Sequence, residues 1–231
     1  GLYNDREGFI TNLPTGQDID GRETAAGRLQ FVLTPSEAWT IRLSASAESH
    51  DDGFVPTYNP LTDGGPYRVN RDVPGYVDTD VSTYGLTANF SGEHLSFSSV
   101  TALRNWEQDL QQDFDFTAIP QPVAEIGFIP VVGVSQPDVE QLSQEVRLGS
   151  GDSSEAYQWA FGGYYANRST DSVAGSLYPA GLFHPQLGFI QGPVPDYTTS
   201  MLSDEDTALF WESSFNLENG LTLTAGLRYQ N

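Results

Sequence analysis

The chain has 231 residues and a formal net charge of −21, with 31 acidic residues against ten basic ones, all of them arginine. Such acidity argues against a nucleic-acid partner, whose phosphates require basic clusters, and the lack of cysteine removes disulfides and cysteine-ligated zinc. Aromatic residues reach 12%, unlike acidic disordered chains, which are poor in rings.

Period-two alternation recurs along the chain, and side chains of a strand point to opposite faces with that period. In 28–34, Leu29, Phe31 and Leu33 oppose Arg28, Gln30, Val32 and Thr34. In 39–48, Trp39, Ile41, Leu43, Ala45 and Ala47 oppose Thr40, Arg42, Ser44, Ser46 and Glu48. Tyr84, Leu86, Ala88 and Phe90 share a face in 81–90. In 95–108, Leu95, Phe97 and Leu103 share one face, while Arg104 and Trp106 lie on the other. Leu142, Gln144, Val146 and Leu148 oppose Ser143, Glu145 and Arg147 in 142–148. Tyr157, Trp159, Phe161, Gly163 and Tyr165 align in 157–165, and Leu209, Trp211, Phe215 and Leu217 align in 209–217. Leu221, Leu223, Ala225, Leu227 and Tyr229 alternate with Thr222, Thr224, Gly226, Arg228 and Gln230 at the end.

The connections fall into two length classes. TPSEA (34–38), SGEH (91–94), GDSSEA (151–156) and LENG (217–220) have the composition of tight hairpin turns. Between them lie long Pro-, Gly- and Asp-rich stretches near 10–22, 50–79, 110–138 and 170–204. A transmembrane barrel has short turns on one membrane side and long loops on the other. Its strands need about 9–11 residues to cross. The fold expected is therefore all-β: about nine strands of an antiparallel, up-and-down transmembrane β-barrel, with short periplasmic turns and long extracellular loops. The chain reads as one partial barrel domain, 1–231. No secretory leader pattern opens it, and both ends look cut. The alternatives are a soluble β-rich ligand- or glycan-binding module, and a plug-less porin-like barrel. Two apolar faces packed on each other would favour the soluble module.

Several stretches carry a resemblance to a known family. QLSQEVRLGSGDSSEAYQWAFGGYYANRSTD (141–171) resembles a hairpin of the barrel of TonB-dependent receptors of Gram-negative outer membranes. DTALFWESSFNLENGLTLTAGLRYQN (206–231), residues 8–46 and TALRNWEQDLQQDFD (101–115) are similar to further parts of that barrel, in the family's order. The resemblance implies a 22-stranded barrel around an N-terminal plug, of which this chain would be a fragment lacking the plug and the C-terminal strands. It implies binding and gated import of a scarce ligand, most often a ferric siderophore, also haem, cobalamin or carbohydrate. The implied partners are that ligand, outer-membrane lipid, and the TonB complex through the N-terminal part. No catalytic residue and no cofactor is expected, and the protein is not expected to be an enzyme.

The long loops are the expected ligand-facing parts. Their candidate contacts are Tyr58, Tyr67, Arg68 and Arg71, then Phe114 and Phe116, then Tyr178, Phe183 and His184; Arg104 and Trp106 sit at the top of a strand. Arginine forks pair with carboxylates and rings stack, which suits an anionic ligand. The plainer reading packs these side chains on one another. The carboxylate clusters at 113–116, 51–52 and 204–207 offer oxygen ligands for calcium, but no EF-hand spacing accompanies them. They are read as solvated loop charge, and no metal site is assigned. His50, His94 and His184 are isolated from one another, without a metal-binding spacing.

Overall fold

A computed structural model describes residues 1–54, 59–118, 131–151, 156–178, 194–218 and 220–231, with backbone only at 183–184 and 188–189. The strands are β1 (Leu2–Arg6), β2 (Thr11–Asn12), β3 (Gln17–Asp18), β4 (Arg22–Ser36), β5 (Trp39–Gly53), β6 (Arg68–Val69) and β7 (Tyr76–Ser91). They continue as β8 (Leu95–Asp113), β9 (Val132–Ser150), β10 (Tyr157–Tyr178), β11 (Phe183–His184), β12 (Gly188–Phe189), β13 (Val194–Asn216) and β14 (Thr222–Gln230). Nine of them form one sheet in the order β1-β4-β5-β7-β8-β9-β10-β13-β14, every neighbouring pair antiparallel. The sheet is an open meander with β1 and β14 at its edges.

The two classes of connection lie at opposite ends. One end has 37–38, 92–94, 151–156 and 217–221; the other has 7–21, 54–75, 114–131 and 179–193. The strands run further toward the long connections than apolar alternation indicates. Pairing of β10 with β13 continues from Tyr157↔Phe215 to Tyr178↔Val194, so much of 170–204, expected as loop, is strand. The same holds for 76–79, 110–113 and 132–138. Backbone hydrogen bonds hold a hairpin together whatever its side chains face; apolar alternation marks only the part with one apolar face.

Directly opposed residues share a face, so the register sorts the sheet's side chains into rows. One face is apolar and exposed. Phe31–Leu43–Leu86 and Tyr84–Leu103–Leu142 are rows on it, and so is Phe97–Leu148–Phe161–Trp211–Leu227. Leu43, Leu86, Leu103, Leu142, Phe161 and Leu227 are all exposed. Aromatic residues cluster on it beside the short turns, where Trp39 lies 5.2 Å from Phe90 and 6.4 Å from Phe97, and Tyr157 lies 4.6 Å from Phe215. Tyr84, Tyr165 and Tyr229 stand toward the other end of the belt. Thr101, Ser99 and Gln144 also lie on this face and satisfy one another. Thr101 donates to Gln144 Oε1, and Gln144 Nε2 donates to Ser99 Oγ at 3.0 Å. No second sheet packs on this face among the described residues.

Toward the long connections the same face turns acidic. Asp5, Glu23, Asp51, Asp78 and Asp109 form one cross-strand row. Asp80, Glu107, Asp138 and Asp171 form the next. Like charges directly opposed disfavour pairing, so these rows belong in high-dielectric surroundings. The apolar belt spans about nine residues of each of several strands, close to the crossing length of about 9–11: 39–47 in β5, 82–90 in β7, 157–165 in β10 and 207–215 in β13.

The opposite face is polar and carries the arginines of the wall. Arg28–Ser46–Thr83–Arg104–Gln141–Arg168–Asp204 is one row. Asn89–Ser98–Arg147–Gly162–Phe210–Arg228 is another. Phe210 lies flat against Gly162, where a Cβ would come within 2.1 Å of its ring, and Arg147 stacks 5.4 Å from that ring. Glycine is required at 162 for the ring to lie there.

The largest fully buried side chains are not in the wall. Arg71, Val69, Asn12 and Asp20 are the largest of them, all in the connections at the long-loop end. A one-layer wall gives its side chains to the two spaces beside it, so close packing arises only where loops fold over one another.

Candidate functional site

The 7–21 and 54–75 connections are stitched by a small sheet in which β2 pairs antiparallel with β3 and parallel with β6. Asn12 copies a further ladder step with its amide: Nδ2 donates to the Arg71 carbonyl and Oδ1 accepts from the Arg71 N–H, both at 3.0 Å. Gly53 is needed at the base, since a Cβ there would lie 2.1 Å from the Ile19 carbonyl oxygen. Asp20 caps the first loop, its Oδ1 accepting from the Phe9 and Ile10 N–H groups at 2.6 Å.

Arg71 is the hub. It is 1% exposed. Its guanidinium forks onto Asp63, Nη1 to Oδ1 at 2.8 Å and Nη2 to Oδ2 at 3.1 Å, and donates to the Phe116 carbonyl at 2.8 Å. It also stacks 5.5 Å from the Phe116 ring. Asn59 and Thr62 donate to the same carbonyl. The guanidinium thereby joins the 59–71 segment to Phe116, and the Arg71 backbone joins both to Asn12. Burial works against the Asp63 carboxylate, but hydrogen bonds from Arg71 and from the Asn59 and Asn70 N–H groups outweigh it and hold its pKa below the ordinary value. A depressed carboxylate stabilises the fold above its unfolded pKa and loses that contribution as pH falls through the folded one. The tie should therefore hold at pH 5 and open only below about pH 4. Pepsin cleavage within 59–72 should rise only in that acidic range; equal cleavage at pH 5 and pH 2 would count against it.

Beside the hub, Asp113 accepts the Asp115 and Phe116 N–H groups on Oδ1 at 3.0 and 2.8 Å. Asp115 in turn accepts the Thr117 N–H and hydroxyl on Oδ1 and the Val131 N–H on Oδ2. Phe116 adopts a left-handed backbone, φ 56°, which is uncommon for a bulky residue. Burial, reinforced by the Asp115 and Asp72 carboxylates, pushes the Asp113 pKa up to about 7 against those N–H donors. Burial, then Asp115, raises that of Asp72.

A second constellation lies on the polar face of the wall. Arg104, Trp106, Val139, Gln141 and Arg168 line an open recess of about 240 Å³. Trp106 stands opposite Val81 and Val139, on the same face as Arg104. Arg104 and Arg168 are exposed, and neither guanidinium has an ion-pair or hydrogen-bond partner among the described residues. Asp204 stands opposite Arg168 in the row without forming an ion pair, and two guanidinia with open donors beside an indole and an amide can take a planar anion by forked hydrogen bonds and stacking.

The expected contacts thus divide. Arg104 and Trp106 come together, and Arg168 joins them; sequence reading missed Arg168, because only the β9 register brings it beside Arg104. Tyr67 and Arg68 are exposed on the loop surface, with Tyr67 edge-on to Phe9 at 5.9 Å. Phe114 is exposed and lies against Gly133. Arg71 and Phe116 serve the loop core as described above. Tyr58 lies outside the described residues, as do the side chains of Phe183 and His184.

No family model matches the chain. Among solved structures it is similar to the ferric yersiniabactin uptake receptor FyuA from Yersinia pestis, with TM-score 0.74 and 15% identity. That likeness covers 99% of this chain and 33% of the receptor, so the chain spans about a third of the length of that protein. At that identity the likeness shows the fold: a nine-stranded antiparallel segment of a barrel wall.

Proposed function

We propose that the chain forms part of the wall and outer loops of an outer-membrane active-transport receptor that binds and imports a ferric siderophore, with energy from the TonB system. The observation that carries the membrane reading is the exposed apolar belt, bounded by an aromatic zone at the short turns and by carboxylate rows at the other end. In lipid, strands cross only within a closed barrel, since every backbone group must be paired. On this reading the short turns face the periplasm and the long connections the exterior. The polar face lines the lumen. A soluble sandwich would have to bury the belt against a second layer, and none of the described strands supplies one.

The likeness to a ferric yersiniabactin uptake receptor supports the ligand class, and the Arg104–Trp106–Arg168 recess suits an anionic chelate. The contact residues proposed are these three with Tyr67, Arg68 and Phe114 of the outer loops, Tyr58 of the 54–75 connection, and Phe183 and His184 of the 179–193 connection. In the full-length protein, deletion should abolish iron-limited growth on one ferric chelate of a panel. The double variant Arg104→Ala/Arg168→Ala should lower uptake of that chelate at least about tenfold, since charged hydrogen bonds contribute roughly 1.5–3 kcal/mol each. Unchanged uptake of every ferric chelate on deletion would remove the iron assignment. Unchanged uptake in the double variant would remove the recess.

A further inference from the structure

We propose that Asp72, Asp113 and Asp115 form a binding site for one hard divalent cation, calcium in preference to magnesium, that clamps the outer end of β8 to the 54–75 connection. A carboxylate oxygen from each of the three lies within 4.8 Å of those from the other two. Oxygen ligands at about 2.4 Å from a common calcium ion are at most about 4.8 Å apart. The spacing therefore falls within the limit that ligands of one ion must meet.

The cluster is more than surface acidity. Asp113 is 4% exposed. Its Oδ1 is taken by two backbone N–H groups, while Oδ2 is buried with no hydrogen-bond partner; Asp72 Oδ1 is in the same condition. Buried acceptors without donors are rare, and each calls for an explanation. Two of them in neighbouring carboxylates of one cluster have a common one, a ligand that is positive and needs no hydrogen. The guanidinium nearest in sequence, Arg71, is committed to Asp63 and to the Phe116 carbonyl.

The donor set selects the metal. All three ligands are oxygens, and no histidine belongs to the cluster, which favours a hard cation over zinc or copper. Calcium accepts irregular geometry and completes its shell with water, whereas magnesium demands a near-ideal octahedron. Asp113 is the last residue of β8, Asp115 follows it in the DFD turn, and Asp72 comes from the loop that Arg71 anchors. The ion would therefore join the wall to the outer loop. This inference stands apart from the transport reading, since it requires only the loops and the end of β8.

The test uses the full-length protein, purified in detergent and stripped with a chelator. Calorimetric titration with calcium chloride should show saturable binding, with magnesium chloride much weaker. Asp72→Asn and Asp113→Asn should each remove one equivalent of calcium or weaken it at least as much as the roughly 10–100-fold that loss of an outer-shell partner costs a metal site. The absence of saturable calcium binding, or unchanged binding in both variants, would overturn the proposal. A measurement on the unaltered protein covers the case of variants that fail to fold. Calcium should slow amide exchange at 70–73 and 113–117, and exchange there that is the same in calcium and in chelator would also overturn it.

Discussion

Lysine in place of Leu43 is expected to destabilise the full-length barrel in lipid vesicles by about 2–4 kcal/mol, the cost of a basic side chain near the bilayer midplane. Leu43 is 45% exposed, so the cost would not come from a lost core. It stands between Phe31 and Leu86 in the middle of the 39–47 stretch of the apolar belt. Two reference substitutions make the result interpretable. Lysine at Leu223 should cost less than at Leu43, because Leu223 opposes Phe215, which itself opposes Tyr157 in the turn-side aromatic zone. There the cost falls to about 0–1 kcal/mol. Lysine at Asp80 should cost little or nothing, since it enters a row with Glu107 and Asp138. Urea unfolding of the three variants reads the order directly. Equal costs at Leu43 and Asp80 would mean that the belt does not meet lipid, and the membrane reading would fall with it.

Much of that wall was legible because its physics is local. A strand between lipid and a wet lumen must alternate, and Trp39 to Ala47 or Leu221 to Tyr229 do so without interruption. Where the strand leaves the belt, both faces meet polar surroundings and the signal vanishes, although pairing goes on. That is why 171–178 and 194–204 read as loop and are strand. β1 was illegible for a related reason: its five residues, LYNDR, place Leu2 and Tyr3 on opposite faces. The sites were harder still. Arg71 has the composition of a ligand-facing loop residue, but its partners are 45 residues away at Phe116 and 59 away at Asn12. The DFD pair of carboxylates is visible in the sequence and has the composition of solvated loop charge; Asp72, which completes the cluster, arrives from another connection. In both cases topology supplied the contact, and no spacing rule in one sequence encodes it.

The buried fork offers the sharpest test of how the outer loops are held. Arg71→Ala leaves Asp63 inside the loop core with a negative charge and two backbone N–H donors, from Asn59 and Asn70. Removing one partner of a buried ion pair costs about 3–5 kcal/mol, mainly because the other charge is left uncompensated. The Phe116 carbonyl, by contrast, keeps its donors from Asn59 and Thr62, so the loss falls on Asp63. Adding Asp63→Asn should then recover part of it, since an amide oxygen still accepts an N–H and carries no charge to strand. The damage should also stay local. The wall strands β5, β7 and β8 are held by ladders that do not pass through Arg71. Hydrogen exchange on the full-length protein should show protection lost at 10–13 and 68–72 and kept at 39–47 and 82–90. Loss throughout would mean that the loop core and the wall unfold as one unit. Unchanged exchange at 68–72 would mean that the small β3-β2-β6 sheet, and not the fork, closes the outer loops.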